Sequence, residues 1–398
     1  MKVCFETFGC RLNRAEALEE EAKYLARGWT RVETHADADL IVVRGCSVTA
    51  RAQSECERLI AHIRRKYPFK RVIVAGCLEN RTGGYVVRAP AGGPGGAEAP
   101  VPTRTARAYL KVQDGCSCGC TFCIVPKFRG RPVSVPFEDV LAKARRFIEA
   151  GYHEIVVTGC NLSLYSSEGR RLPDLVAALA ELTPEDPASR DRCRIRLGSV
   201  EPTSVADDTV AAVAEHANAC RFLHMPVQSG SNMVLTAMRR PYFAKDVDRI
   251  LSLAEGKMPG LGLGCDIMTG FPGETDLDFA ATTGLLRRHR FSNAHVFPFS
   301  ARPGTKAEAL PDQITRELRA LRADEVSAIV QAAREKFARS FVGREVEVVV
   351  EGEKEICGWT GEYLWCKATN ILPKVRRKDI VRVRVLEARD DRLSGVAF

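Results

Sequence analysis

No stretch of the 398-residue chain is apolar for the roughly 20 residues that a membrane-spanning helix needs. The opening Met1-Lys2-Val3-Cys4-Phe5 alternates like a strand and lacks the charged start and apolar core of a secretory leader. A cytoplasmic protein with no membrane partner is therefore expected. The chain is also far too long for a small disulfide-stapled scaffold, so in a reducing compartment its fifteen cysteines point to metal ligands and buried thiols. Neither sign of charge dominates: 59 basic against 50 acidic residues leave +9, which suits a polyanionic partner without requiring one. With 45% hydrophobic and 27% charged residues the composition is that of an ordinary globular protein. The length exceeds what one hydrophobic core supports, so two or three domains are expected.

What the chain does have is patterned cysteine. Gly115-Cys116-Ser117-Cys118-Gly119-Cys120-Thr121-Phe122-Cys123 places Cys116, Cys120 and Cys123 as C-x3-C-x2-C, three thiolates for one soft metal centre. A [4Fe–4S] cluster normally takes four cysteines, so this loop leaves one iron open to a non-protein ligand. Zinc is the alternative, although its usual pattern is paired C-x2–4-C knuckles. Cys118 lies outside the register and is read as a bystander. A second set is dispersed. Lys2–Phe8, Leu40–Arg44 and Arg71–Ala75 read as strands, Arg14–Leu25 and Ala50–Tyr67 as helices, which makes a βαβαβ unit. Gly9-Cys10, Gly45-Cys46 and Gly76-Cys77 each follow one of those strands. Parallel strands end on a shared edge, so Cys10, Cys46 and Cys77 are expected to converge as a second three-cysteine site; three buried structural thiols are the alternative. Cys4, Cys56, Cys160, Cys193, Cys220, Cys265, Cys357 and Cys366 belong to no ligand-spaced set and are expected to be packed thiols, and His224 a packed strand residue.

From Ala108 to about Ser340, strands at Tyr109–Val112, His153–Thr158, Arg194–Gly198, Phe222–Val227, Leu263–Met268 and Ala294–Phe297 alternate with helical stretches, which predicts a parallel sheet with its chemistry at the carboxyl ends. Gln313 to Ser340 is helical with Arg/Glu pairs on a solvated face. After it the period changes to two, at Glu345–Val350, Tyr363–Lys367, Ile380–Leu386 and Leu393–Phe398, which predicts a small OB-like β-barrel. Its Lys374, Arg376, Arg377, Lys378 and Arg382, near Trp359, Tyr363 and Trp365, suit phosphate contact and base stacking. A solvated basic loop is the alternative.

Two three-cysteine sets of this kind resemble the radical S-adenosylmethionine (SAM) methylthiotransferases. The likeness is carried by Thr7-Phe8-Gly9-Cys10-Arg11-Leu12-Asn13, Cys46-Ser47-Val48-Thr49 and Cys120-Thr121-Phe122-Cys123-Ile124-Val125-Pro126 with Arg129-Gly130. Within the family the chain is similar to the type acting on N6-threonylcarbamoyladenosine of tRNA, through His224-Met225-Pro226-Val227-Gln228-Ser229-Gly230-Ser231, Met238-Arg239-Arg240 and His295-Val296-Phe297-Pro298-Phe299-Ser300. The resemblance implies an α/β chain: a flavodoxin-like parallel βαβ domain over residues 1–82, a Gly/Pro-rich linker over 83–104, a partial (β/α)6 radical SAM barrel over 105–340 and an OB-like TRAM barrel over 341–398. It implies two [4Fe–4S] clusters, an auxiliary one on Cys10, Cys46 and Cys77 and a SAM-binding one on Cys116, Cys120 and Cys123. It places SAM contacts at Phe122, Thr158, Gly159, Asn161, Ser199, Glu201, Gln228, Arg239 and Asp266, and assigns the TRAM barrel to holding tRNA. The implied activity is attachment of a methylthio group to C2 of the modified adenosine. The implied partners are the tRNA anticodon stem-loop, an electron donor such as flavodoxin or ferredoxin, and a sulfur source, with the enzyme a monomer. The stretch between Cys77 and Cys116 is shorter than in the family and rich in Gly, Pro and Ala, so a smaller first domain with a more open cluster is expected. Ribosomal-protein and other-adenosine methylthiotransferases share both cysteine patterns. A metal-stabilised RNA-binding protein without catalysis is the reading from another class.

Overall fold

The computed structural model describes residues 1–78, 101, 104–186, 189 and 191–398, with Ser204 described by its backbone alone. Apart from residues 101 and 104, the linker expected over 83–104 lies outside the described residues.

The first domain is β1 (Lys2–Thr7), α1 (Arg11–Ala26), β2 (Thr30–Arg31), β3 (Leu40–Gly45), α2 (Ala50–Lys66) and β4 (Arg71–Gly76). The strands form one parallel sheet in the order β2-β1-β3-β4. Successive side chains of a strand point to opposite faces, and the core divides accordingly. Cys4, Ile41 and Val43 pack with Cys56, Ile60 and Ile63 of α2. Val3, Phe5, Leu40 and Val42 pack on the other face with Tyr24 and Trp29. Burial on both faces makes the run Leu40–Arg44 read as continuous apolar sequence broken only by its last residue.

The central domain follows. It contains β5 (Ala108–Lys111), β6 (Gln113–Asp114), α3 (Val125–Arg129), β7 (Val133–Ser134), α4 (Phe137–Glu149), β8 (Glu154–Thr158), β9 (Ser166–Ser167), β10 (Arg170–Arg171), α5 (Leu172–Ala180), β11 (Arg194–Leu197), α6 (Ser204–Glu215), β12 (Phe222–Gln228), α7 (Asn232–Ala237), α8 (Ala244–Lys257), β13 (Gly262–Thr269), α9 (Asp276–Arg288), β14 (Phe291–Pro298) and α10 (Arg316–Arg339). Two parallel three-stranded sheets, β5-β8-β11 and β12-β13-β14, meet through bridges at Ile195–Ala219 and Ser199–His224. The six strands therefore curve into an open barrel whose edges are β5 and β14, and α10 packs along β14.

The last domain is a closed barrel of β15 (Glu345–Val350), β16 (Cys357–Thr360), β17 (Trp365–Ala368), β18 (Ile380–Arg389) and β19 (Arg392–Ala397), ordered β15-β16-β17-β19-β18. Strand β16 has no counterpart among the expected strands, and Tyr363, expected to open one, instead stands in the β16–β17 turn with φ 67°. That turn enters the central domain. Glu154, wholly buried, accepts from Arg194 Nε at 2.7 Å and Arg196 Nε at 2.7 Å. The same guanidinium groups donate to backbone carbonyls of the hairpin, Arg194 to Trp359 at 2.8 Å and Arg196 to Thr360 at 2.7 Å and Gly361 at 3.2 Å. The approach is close enough that a Cβ on Gly262 would lie 2.2 Å from the Glu362 carbonyl oxygen. Burial opposes ionisation of Glu154, yet Arg196 and Arg194 hold its carboxyl well below the usual range.

Removing that charge strands two buried cations, so Glu154→Gln is expected to destabilise the protein by about 3–5 kcal/mol. The check is the urea midpoint, together with earlier proteolytic release of residues 341–398.

Candidate active site

Each cysteine of the first set stands just past a strand of the first domain. Cys10 caps α1 and is exposed; Cys46 and Cys77 are buried. Gly9, at φ 95°, allows the first loop to close on the second, because a Cβ there would sit 2.7 Å from Cys46 Cβ. Buried Asn13 laces the strand ends together, its Nδ2 donating to the carbonyls of Phe8 at 2.8 Å and Gly45 at 2.9 Å. Ser47 Oγ donates to the Cys77 carbonyl at 2.8 Å. Burial pushes the Cys46 thiol up to about 11, with Cys77 and Cys10 as charged neighbours adding to it. Burial raises Cys77 as well, against the pull of Arg129, whose Nε donates to its sulfur at 3.4 Å.

The second set lies on the loop between β6 and α3. Gly115, at φ 70°, passes so close to the returning chain that a Cβ would meet the Arg131 carbonyl oxygen at 2.1 Å. The loop is pinned by Cys116 N to the Gly130 carbonyl at 3.1 Å, by Thr121 N to Met238 at 3.1 Å, and by Thr121 Oγ1 to Ala237 at 2.9 Å. The neighbouring Cys116 and Cys118 thiols act on each other through their shared hydrogen bond, which pulls Cys116 down and drives Cys118 upward. Asn161 Nδ2 donates to Cys118 at 3.3 Å. Burial pushes Cys123 up to about 11. Cys120 accepts from Arg240 Nη1 at 2.9 Å.

Among the described residues each set offers three thiols, and in each a guanidinium donates to one sulfur. That chemistry fits an anionic iron–sulfur cluster with an iron left open.

The residues expected around SAM gather at the carboxyl ends of the barrel strands. Thr158 and Asn161 are buried beyond β8, and Asn161 N donates to Gln113 Oε1 at 2.9 Å. Gly159 packs on Gln113, whose Oε1 a Cβ would meet at 2.9 Å. Phe122 packs edge-on against Phe271 at 6.4 Å. Ser199 is exposed beside the buried Glu201, and Gln228 is buried with the strained φ of 65°. Arg239 is exposed at φ 56°. Its neighbour Arg240, which sequence reasoning passed over, is the arginine buried in the site, where it ion-pairs with Glu201 and donates to Tyr242 Oη at 2.7 Å. Burial raises the Glu201 carboxyl against that pull.

Asp266 is shared between two histidines, His224 Nε2 at 3.1 Å and His295 Nδ1 at 3.0 Å. Against the upward push of burial, their hydrogen bonds hold Asp266 well below the usual carboxylate range. His224 is packed, as expected of a strand residue, but it also belongs to this polar group. Cys4, Cys56, Cys193, Cys220, Cys265 and Cys366 are buried, Cys357 is half-buried, and half-buried Cys160 donates to Asp114 Oδ1 at 3.3 Å.

On the last domain, Lys374, Arg376, Arg377 and Arg382 are exposed, the last lying over the Phe398 ring at 4.9 Å. Lys378 instead turns to the central domain, with Nζ 3.8 Å from the centre of the Tyr152 ring and donating to the Ala150 carbonyl at 3.2 Å. Trp359 and Tyr363 stack on each other at 4.4 Å, and Tyr363 packs against Phe222 at 4.7 Å. Those two faces are therefore taken by protein. With Trp365, Arg334, Asp391 and Arg392 the two residues also line a cavity of about 370 Å³.

Arg240→Gln leaves Glu201 buried without its cation and Cys120 without its donor. It is expected to weaken SAM binding by about 10–100-fold, with Arg239→Gln staying within about twofold. Calorimetric titration of the reconstituted protein separates the two.

Residues 110–286 match the Radical SAM superfamily, and residues 2–91 match a family described as Uncharacterized protein family UPF0004. Among curated proteins, the tRNA-2-methylthio-N(6)-dimethylallyladenosine synthase of Cereibacter sphaeroides is 30% identical over 99% of this chain and 98% of its own. That of Mycobacterium tuberculosis is 31% identical over 96% and 79%. The threonylcarbamoyladenosine tRNA methylthiotransferase MtaB of Bacillus subtilis is 28% identical over 97% and 94%. Among solved structures, the radical SAM methyltransferase TsrM from Kitasatospora setae shares the fold with a TM-score of 0.56 at 14% identity, over 77% of each chain. Similarity of this extent, running through both cysteine sets, makes the chain a member of the radical SAM tRNA methylthiotransferases, transferases that work with SAM and [4Fe–4S] clusters.

Proposed function

We propose that this enzyme adds a methylthio group to C2 of N6-threonylcarbamoyladenosine beside the tRNA anticodon. The observation that carries the choice of substrate is an ionisable group across three neighbouring barrel strands, in which Asp266 of β13 is shared by His224 of β12 and the exposed His295 of β14. A threonylcarbamoyl group brings a carboxylate, a hydroxyl and a urea, which such side chains pair with, whereas a dimethylallyl group buries best against apolar ones.

Cys116, Cys120 and Cys123 would hold the SAM-binding cluster, and Cys10, Cys46 and Cys77 the auxiliary cluster. When bound, these groups and SAM supply the radical, the sulfur and the methyl group. The chain's own work is binding and orientation. Arg240 steadies Cys120 and neutralises Glu201, leaving one anchored carboxylate for the ammonium or ribose of SAM. The exposed Lys374, Arg376, Arg377 and Arg382 offer phosphate contacts along the anticodon stem-loop, and the cavity at Trp365 offers an aromatic wall to a splayed base. The electron donor, a flavodoxin or ferredoxin, and the sulfur source are read from the family.

N6-dimethylallyladenosine is the second reading, favoured by the 30–31% identity to synthases of that type. Nucleoside mass spectrometry of tRNA from strains lacking either modification decides between them. The expected product is the methylthio derivative of the threonylcarbamoyl nucleoside; the dimethylallyl derivative alone overturns the substrate, and neither product overturns the reaction. Cys10→Ala is expected to abolish methylthiolation while SAM cleavage persists, measured as 5′-deoxyadenosine by chromatography.

A further inference from the structure

Arg129 ends the helix that follows the second cysteine loop, yet its guanidinium faces the first domain. Nε donates to Cys77 Sγ at 3.4 Å, and Nη2 donates to Asn13 Oδ1 at 3.1 Å. Nη1 and Nη2 pair with Glu16 at 2.9 and 3.1 Å. Nη1 also reaches Asp114 Oδ1 at 3.1 Å. Glu16 in turn holds Lys111 at 2.6 Å and Arg44 at 2.7 Å, so the group is fixed from several sides and only 9% of the Arg129 side chain is exposed. On its far side Asp114 accepts Gly115 N at 2.8 Å, immediately before Cys116, while Cys116 N donates to Gly130, immediately after Arg129. A continuous path of hydrogen bonds therefore joins a cysteine of one set to the loop of the other.

We propose that Arg129 is a positioning residue that sets the reduction potential of the cluster on Cys10, Cys46 and Cys77 and fixes that cluster in register with the one on Cys116, Cys120 and Cys123. This rests on the reading that both sets hold [4Fe–4S] clusters. A cation donating N–H to a ligand sulfur stabilises the reduced, more negative cluster and raises its potential. Arg240 makes the corresponding contact at Cys120, so each set carries its own arginine.

The test is potentiometry followed by electron paramagnetic resonance on reconstituted protein. The auxiliary cluster is isolated in a background with Cys116, Cys120 and Cys123 replaced by alanine, the SAM cluster in one with Cys10, Cys46 and Cys77 replaced. Arg129→Gln is expected to move the auxiliary midpoint to more negative potential and leave the SAM cluster where it was. Arg129→Lys, which keeps the charge and loses the fork, is expected to move it less in the same direction. Should Arg129→Gln take up no auxiliary cluster, Arg129→Lys decides. An auxiliary midpoint unchanged in the deciding variant, or equal shifts at both clusters, overturns the proposal. Failure of the unaltered protein to bind about eight irons overturns the two-cluster reading instead, a result visible before any arginine is changed.

Discussion

Glu154 has no contact with water, and the relation between the central and last domains depends on it. A carboxylate so placed is tolerable only when cations and hydrogen bonds replace its hydration. Arg194 and Arg196 do so, and their remaining N–H groups need acceptors in turn, which the carbonyls of the β16–β17 hairpin provide. The demand for satisfaction thus passes outward from one buried charge until it reaches another domain. Glu16 plays the same part on the other side. Arg129 and Lys111 from the central domain converge on it, and despite burial they hold it down to about 2. Both junctions are built on a buried carboxylate and the guanidinium groups that satisfy it.

Between those junctions the geometry follows from parallel strands. In the first domain and in the open barrel alike, the chain returns to the same edge after each helix, so residues dozens of positions apart meet without any local signal that they will. Cys10, Cys46 and Cys77 come together in this way, and Glu201 beyond β11 comes close enough to Asp266 of β13 to feel its charge. The glycines that precede the cysteines allow the loops to pass one another, as Gly9 does over Cys46.

This explains what was legible in the sequence. The strands of the first two domains announce themselves as short apolar runs, and a cysteine two residues past each of three such runs, after a glycine, is visible because strand ends share an edge. The arginine of the site was not. Arg239 and Arg240 are adjacent and chemically alike, and only the left-handed turn at Arg239 decides which enters the barrel. Nor does the sequence show that Arg194 and Arg196 face inward, since two arginines in a strand normally mark a solvated face. Strand β16 escaped notice because Cys357-Gly358-Trp359-Thr360 is short and carries a glycine, and its place comes from barrel closure. Lys378 sits in a basic run that looks uniform, and only the aromatic ring of Tyr152 sets it apart from its neighbours.

The hairpin is gripped by its carbonyl oxygens, at Trp359, Thr360 and Gly361, as well as by the Tyr363 ring against Phe222. A grip on main-chain atoms survives most substitutions of the residues that supply them, because every amino acid brings the same carbonyl. The carbonyl share of the grip is therefore indifferent to which side chains stand at 359–361, whereas Tyr363 is tied to its place by the ring of Phe222.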